Sequence, residues 1–414
     1  MPPRTSAERN STSRFPDRRT VLSSTATGGF LALAGCLGLL ENGAEVEETA
    51  PETSEQVDFD VEIVADDLAY PWGIAFSDDG STILVTEREG TLSLVDRDTG
   101  DHRSVDGTPD VYASGQGGLL DVTFHPAYPD ETWVYLTYAA SDDDGASATH
   151  LGRGRLEESD PALESFEQLF VVEPFVDSTA HFGSRVVFGD DGMVYLTSGD
   201  RGFKDFGPDH VSQETTNAIG TTLRLEPDGT VPDDNPFVED EDVLDAIYSY
   251  GHRNAQGMVV HPETGDIWQS EHGEEDGDEI NVIEAGGNYG WPIAHTGCEY
   301  NTDEPVGADP RELDDVVDPV YFWECGTGGF PPAGMTIYDG EAFPDWHGDL
   351  FVGNLAGQYM GRFTLEGTVV EGVEALLEGR GWRVRDVEVE PGTGYLYVAV
   401  DDETGPLVRL VPQE

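Results

Sequence analysis

The stretch Leu120-Asp121-Val122-Thr123-Phe124, a turn carrying Pro126, Pro129 and Asp130, and then Trp133-Val134-Tyr135-Leu136 decides the fold. Two short runs rich in β-branched and aromatic residues, parted by turn formers, are what a half-buried antiparallel hairpin requires. The pattern recurs as Trp72 to Phe76 with Ile83 to Val85, and as Arg185 to Phe188 with Val194 to Leu196. It returns as Gly257 to Val260 with Ile267 and Trp268, Gly334 to Ile337 with Leu350 to Val352, and Asp386 to Val389 with Leu396 to Val398. Helical periodicity is nearly absent. A hairpin alone exposes an apolar face, so six copies predict an all-β, six-bladed β-propeller, its blades stacked radially and its insertions lengthening the loops at one end. A pair of β-sandwiches is the competing arrangement.

Composition narrows the partners. Of 414 residues 83 are acidic and 21 basic, a formal charge of -62, while 37% hydrophobic content is ample for a large core. Such a polyanion repels phosphate backbones, so nucleic acid is excluded, and neutral, cationic or metal partners remain. Lys204 is the one lysine in the chain, and the acids are spread along its length. This reads as a halophilic surface, because at ~1 M salt the screening length falls to about 3 Å and self-repulsion fades.

Residues 1–35 read as an export signal: Arg18 and Arg19 precede a weakly apolar run, Val21 to Leu40, too polar at its start to span a bilayer. Leu33-Ala34-Gly35-Cys36 looks like a lipoprotein box, which makes Cys36 the lipidation site and places the mature chain on the outer face of the cell membrane by a lipid anchor alone. An ordinary cleaved signal is the alternative. Residues 36–57, dominated from Glu41 by Glu, Thr, Ala and Pro, form an acidic tether, and residues 58–414 the propeller. Cys298 and Cys325 are the cysteines of that body; export permits their pairing as a disulfide, and two free thiols are the other possibility.

The loops carry more specific signals. His181-Phe-Gly-Ser-Arg185 leads into one repeat strand and Thr197-Ser-Gly-Asp200-Arg-Gly leaves it; Gly251-His-Arg253-Asn254-Ala-Gln256-Gly opens the next copy. That copy ends in Ser270-Glu-His-Gly273-Glu274-Glu-Asp-Gly-Asp278-Glu279, followed by Gly286-Gly-Asn-Tyr289-Gly-Trp291. With Pro71-Trp-Gly, Glu87-Arg-Glu-Gly, Gly115-Gln116-Gly-Gly-Leu-Leu-Asp121 and Trp382-Arg383-Val-Arg385-Asp386, these segments resemble the quinoprotein glucose and sorbosone dehydrogenases, the soluble aldose sugar dehydrogenase family, over nearly all of Phe59 to Pro412.

The resemblance implies pyrroloquinoline quinone (PQQ) and Ca2+ as cofactors, a sugar as substrate, oxidation of its anomeric hydroxyl to a lactone, and an external electron acceptor. It implies that His181 is the catalytic base, a task suited to a neutral imidazole with pKa near ~6.5. Arg253 and Asn254 match residues beside the quinone carbonyls, where donors would stabilise growing negative charge. Arg383 and Arg385, alternating on a strand, match holders of the cofactor carboxylates. Gln116 and Asp200 match further cofactor-binding positions. Gly273 and Glu274 match carbonyl ligands of one calcium, with Glu274 standing where relatives commonly have proline, and Glu279 and Tyr289 match a second calcium site. Glucose-oxidising relatives place a lysine on the quinone where this chain has Ala356. Lys204 is too distant in the chain to fill that aligned position, leaving Arg383, Arg385 and Gln358 to hold the cofactor. A calcium-dependent propeller lactonase and a noncatalytic propeller lipoprotein are the competing functions.

Overall fold

The computed structural model describes residues 58–413; the segments read as an export signal (1–35) and a tether (36–57), Cys36 among them, lie outside the described residues. Six four-stranded antiparallel sheets form a β-propeller, and its innermost strands are Pro71–Phe76, Leu119–Phe124, Val186–Phe188, Ala255–Val260, Pro332–Ile337 and Val384–Val389. These open blades 1 to 6 in chain order, each packing on its neighbours in a ring. Phe59–Leu68 comes first in the body yet joins the last blade, pairing antiparallel with Gly405–Pro412 from Phe59 opposite Pro412 to Leu68 opposite Gly405. The ring is thereby closed by hydrogen bonds between the two ends of the body.

Each repeat read from the sequence is the inner hairpin of a blade. The outer strands escape that reading because they are largely solvated: Ala162–Val171 carries exposed Glu164 and Glu167, and Val369–Leu376 exposes Val369, Glu371, Val373 and Ala375. The core lies where blade faces meet, for example where Phe351 and Met360 of blade 5 pack with Val384, Leu396 and Val408 of blade 6. Among the described residues, helix is confined to three 3-10 turns.

Hydroxyls stitch the blades in series. Thr86 of blade 1 donates to the Leu120 carbonyl of blade 2, Thr137 to Ser184 of the next segment at 2.6 Å, Thr197 to Ala255 at 3.0 Å, and Ser270 to Ala333 at 3.0 Å. Each side chain lies on the second strand of its blade, so one repeated position links blades 1 to 5. On the axis Arg185 completes the seal. Its Nη1 lies 3.1 Å from Asp121 Oδ1 and 2.9 Å from Asp386 Oδ1, while Nε donates to the Gln256 carbonyl at 2.7 Å and the guanidinium stacks 4.2 Å over Trp72. The two aspartates in turn accept from Val186 N and Ile74 N, both at 2.8 Å. Five blades thus meet on one arginine. Burial, partly offset by Arg185, pushes Asp121 up to about 6 and raises Asp386 as well. This plug is the floor beneath the site.

Cys298 and Cys325 form a disulfide, with Cα atoms 5.4 Å apart, that closes the long insertion of blade 4.

Candidate active site

Above the plug lies a cavity of about 360 Å³ lined by blades 1, 4, 5 and 6 and by Gln116 and His181 from the loops that lead into blades 2 and 3. Trp72 and Arg88, Gln116, Arg253, Asn254 and Gln256, Tyr300, Leu355, and Arg383, Arg385 and Asp401 all face it. Residues separated by more than 300 positions converge because the connections into the inner strands all emerge at the same end of the ring.

His181 is held on three sides. Its backbone sits at φ 50, followed by Gly183 at φ 63 and Ser184 at φ 84, a left-handed path that sterics disfavour in side-chain-bearing residues. The path is fixed by His181 N donating to Gln116 Oε1 at 2.8 Å and Gly183 N to Asn254 Oδ1 at 3.1 Å. Gly199 makes room for it, since a Cβ there would stand 2.4 Å from the His181 carbonyl. The imidazole Nδ1 lies 2.5 Å from Asp200 Oδ1, so Nδ1 carries the proton donated to that carboxylate and Nε2 keeps its lone pair. Asp200 is itself fixed by Gly202 N at 2.7 Å and Trp291 Nε1 at 2.8 Å. Burial lowers the His181 pKa below its ordinary value, Asp200 opposes the shift, and Arg253 and Lys204 add to it. Burial alone would raise Asp200, but its bond to His181 and the nearby cations bring it below the usual carboxylate value. The outcome is a neutral imidazole over an ionised aspartate.

Arg253 is buried, with Nη1 donating to the His272 carbonyl at 3.1 Å and Nη2 to Glu274 Oε2 at 2.8 Å. The Asn254 oxygen is taken by Gly183 N, which leaves its NH2 as the group to offer a ligand. Across the cavity Arg383 and Arg385 both reach Asp401 Oδ2, at 3.2 and 2.9 Å; Arg385 lies on the strand Val384–Val389 and Arg383 immediately precedes it. Arg385 Nη1 also donates to Gln256 Oε1 at 2.9 Å.

The other expected residues divide. Asp200, expected among the cofactor-binding residues, does not line the cavity: it stands behind His181 with 1% side-chain exposure, its oxygens committed to protein donors. Gln358 occupies a hairpin turn at φ 59 and does not line the cavity either. Gly273 and Glu274 do line it, but the Glu274 carboxylate is engaged by Arg253 and Lys204. Glu279 faces His295 at 3.6 Å and Asn281 at 3.4 Å, and the Tyr289 hydroxyl donates to the Val282 carbonyl at 2.6 Å. Among the described residues no group of three or more His, Cys, Asp or Glu side chains is arranged to hold a metal. A calcium here would have to rest largely on main-chain carbonyls, as at Gly273 and Glu274.

Sequence reasoning passed over several lining residues. Gln256 was legible, being two positions beyond Asn254 in the segment that opens blade 4. His272 faces the cavity with its pKa driven well down by burial and by Arg253, and Tyr300 projects from the disulfide-closed insertion; neither carries a signal in the linear sequence. Lys204, on the loop after Asp200, reaches Glu274 at the rim despite its distance in the chain.

The lining suits a planar organic anion. Four arginines face a cavity that also carries Glu274, Glu275, Asp276, Asp278 and Asp401, and the buried Nε atoms of Arg253 and Arg385 have no hydrogen-bond partner. A buried unpaired donor is costly unless a ligand satisfies it.

Comparisons with known proteins place the chain in a family. The family described as Glucose / Sorbosone dehydrogenase matches residues 68–409. Aldose sugar dehydrogenase YliI of Escherichia coli (strain K12) is 35% identical over 353 residues, 85% of this chain and 93% of that protein. A crystal structure of a glucose dehydrogenase has a TM-score of 0.80 at 37% identity, covering 86% of this chain and all (100%) of that one. The PQQ-bound form of aldose sugar dehydrogenase from Streptomyces coelicolor has a TM-score of 0.69 at 28% identity, covering 86% and 99%.

Proposed function

Because the chain belongs to the glucose/sorbosone dehydrogenase family, and is by that membership a sugar-oxidising enzyme, we propose that it converts the anomeric hydroxyl of an aldose to a lactone with PQQ as its cofactor. The observation that carries this reading is the convergence of His181 with four arginines on one cavity. When bound, PQQ supplies the two-electron acceptor that takes hydride from the anomeric carbon. His181 Nε2 receives the hydroxyl proton, and Asp200 stabilises the imidazolium and keeps Nε2 turned to the cavity. Arg253 and Asn254 offer donors to the quinone carbonyls, and Arg383 and Arg385 bind the carboxylates, where planar guanidinium groups bind best. Calcium, held by the Gly273 and Glu274 carbonyls, would polarise the quinone.

Residues 1–35 are read as an export signal and Cys36 as a lipid anchor, so turnover takes place outside the membrane with electrons passing to an external acceptor. Gel filtration of the protein after incubation with PQQ and calcium tests the cofactor assignment. One quinone per chain by absorbance is expected, and none retained at saturating concentrations rejects it.

A further inference from the structure

Among the carboxylates that line the cavity, Glu275, Asp276, Asp278 and Asp401 included, Glu274 is the one bonded to both Arg253 and Lys204. Its side chain is 3% exposed, its Oε2 lies 2.8 Å from Arg253 Nη2, and Glu274 itself lines the wall. It occupies part of the guanidinium that the proposed function needs for the quinone. On its other side it is bound by Lys204, whose side chain is half exposed and whose ammonium also stands 5.4 Å from the Phe206 ring and 5.2 Å from the Tyr300 ring. The sole lysine in a chain of charge -62 is therefore spent on this one carboxylate.

Resting on the quinone reading, we propose that Glu274 competes with the anionic cofactor for Arg253, and that Lys204 sets the cofactor affinity by drawing the Glu274 charge away. Two cations share one carboxylate in the structure. An incoming anion gains Arg253 only to the extent that Glu274 yields it, and Lys204 supplies the partner that lets it yield without leaving a buried charge unpaired. Phe206 and Tyr300 hold the ammonium over their faces, which keeps it at the rim instead of in solvent. Glu274→Gln keeps size and main-chain carbonyl while removing the competitor. Lys204→Gln removes the counterion and leaves Glu274 wholly on Arg253. If Lys204 acts through Glu274, its substitution matters only while that carboxylate is present.

The test is equilibrium titration of the purified protein with PQQ in calcium at fixed moderate salt, followed by tryptophan quenching, with thermal unfolding run on each variant. E274Q is expected to bind about tenfold tighter and K204Q about tenfold weaker, as removal of one charge near a charged ligand allows. K204Q added to E274Q is expected to change affinity by less than about twofold, because the carboxylate through which Lys204 acts is gone. Wild type binding with E274Q equal or weaker overturns the competition while sparing the cofactor reading. Loss of affinity from K204Q in both backgrounds overturns the route through Glu274. Absence of binding by wild type and E274Q alike overturns the cofactor reading and this inference with it.

Discussion

His181 Nδ1 stands 2.5 Å from Asp200 Oδ1, and Trp291 Nε1 pins the other carboxylate oxygen at 2.8 Å. The pair comes from the two ends of one blade's inner hairpin, and its orientation is set before any substrate arrives. It makes His181 the group whose removal should cost chemistry and little else. His181→Ala is expected to lower kcat by about 10²- to 10⁴-fold, the range for a general base. Cofactor affinity, measured by quenching, should stay within about threefold, since the arginines carry that binding. Unchanged turnover would remove His181 from the mechanism.

The pH profile follows from the same contact. The base works when neutral, and burial has moved its pKa below 6.5, so kcat/KM should hold through neutrality and fall only in more acid solution. Asp200 opposes the downward shift, so Asp200→Asn moves the acid limb to still lower pH while cutting the plateau by about 10²-fold or more through loss of the fixed tautomer. An acid limb at or above the ordinary histidine value, or one that rises in the asparagine variant, contradicts the arrangement.

Beneath the site, Arg185→Met leaves Asp121 and Asp386 buried without their cation. Breaking such a cluster from one side costs about 3–5 kcal/mol. Both aspartates have pKa values raised by burial, Asp121 to about 6. Protonation, which neutralises Asp121 below about pH 6, relieves the unpaired charge, so the loss, read by denaturant unfolding, should be larger at pH 8 than at pH 5. Equal loss at both pH values would mean that the plug is not held by charge.

Much of this was legible in the sequence, and what was not has physical causes. Inner hairpins announce themselves because both faces are covered, whereas Val369–Leu376 presents alternate residues to water and merges with the acidic background. Thr86, Thr137, Thr197 and Ser270 recur at one position of the repeat and would have marked the stitching between blades. Arg383 and Arg385 could be paired by alternation alone. Asp200 could be tied to His181 only in space, since the sequence gives no means of telling a residue behind the imidazole from one facing the ligand. Lys204 shows the limit most clearly: alignment excluded it from one position, and folding brought it to the rim at another.

The disulfide offers a stability test apart from catalysis. Cys298 and Cys325 are 27 positions apart, and closing such a loop contributes about 3 kcal/mol in the chain-entropy model. Replacing both by serine should lower unfolding stability by about that amount, and reductant should do the same to wild type but nothing to the variant. A variant as stable as wild type would show that the insertion of blade 4 is held by its packing.

The central claim is that this cavity oxidises sugars with a bound quinone. Purified protein should be mixed with PQQ, calcium, an electron-accepting dye and an aldose, and both dye reduction and the sugar product followed. Dye reduction that requires aldose and quinone together, with lactone formed in step and the rate lowered by about a hundredfold or more in His181→Ala, is the predicted result. Quinone bound at full occupancy with no dye reduced by any aldose, or lactone consumed instead of made, would contradict it.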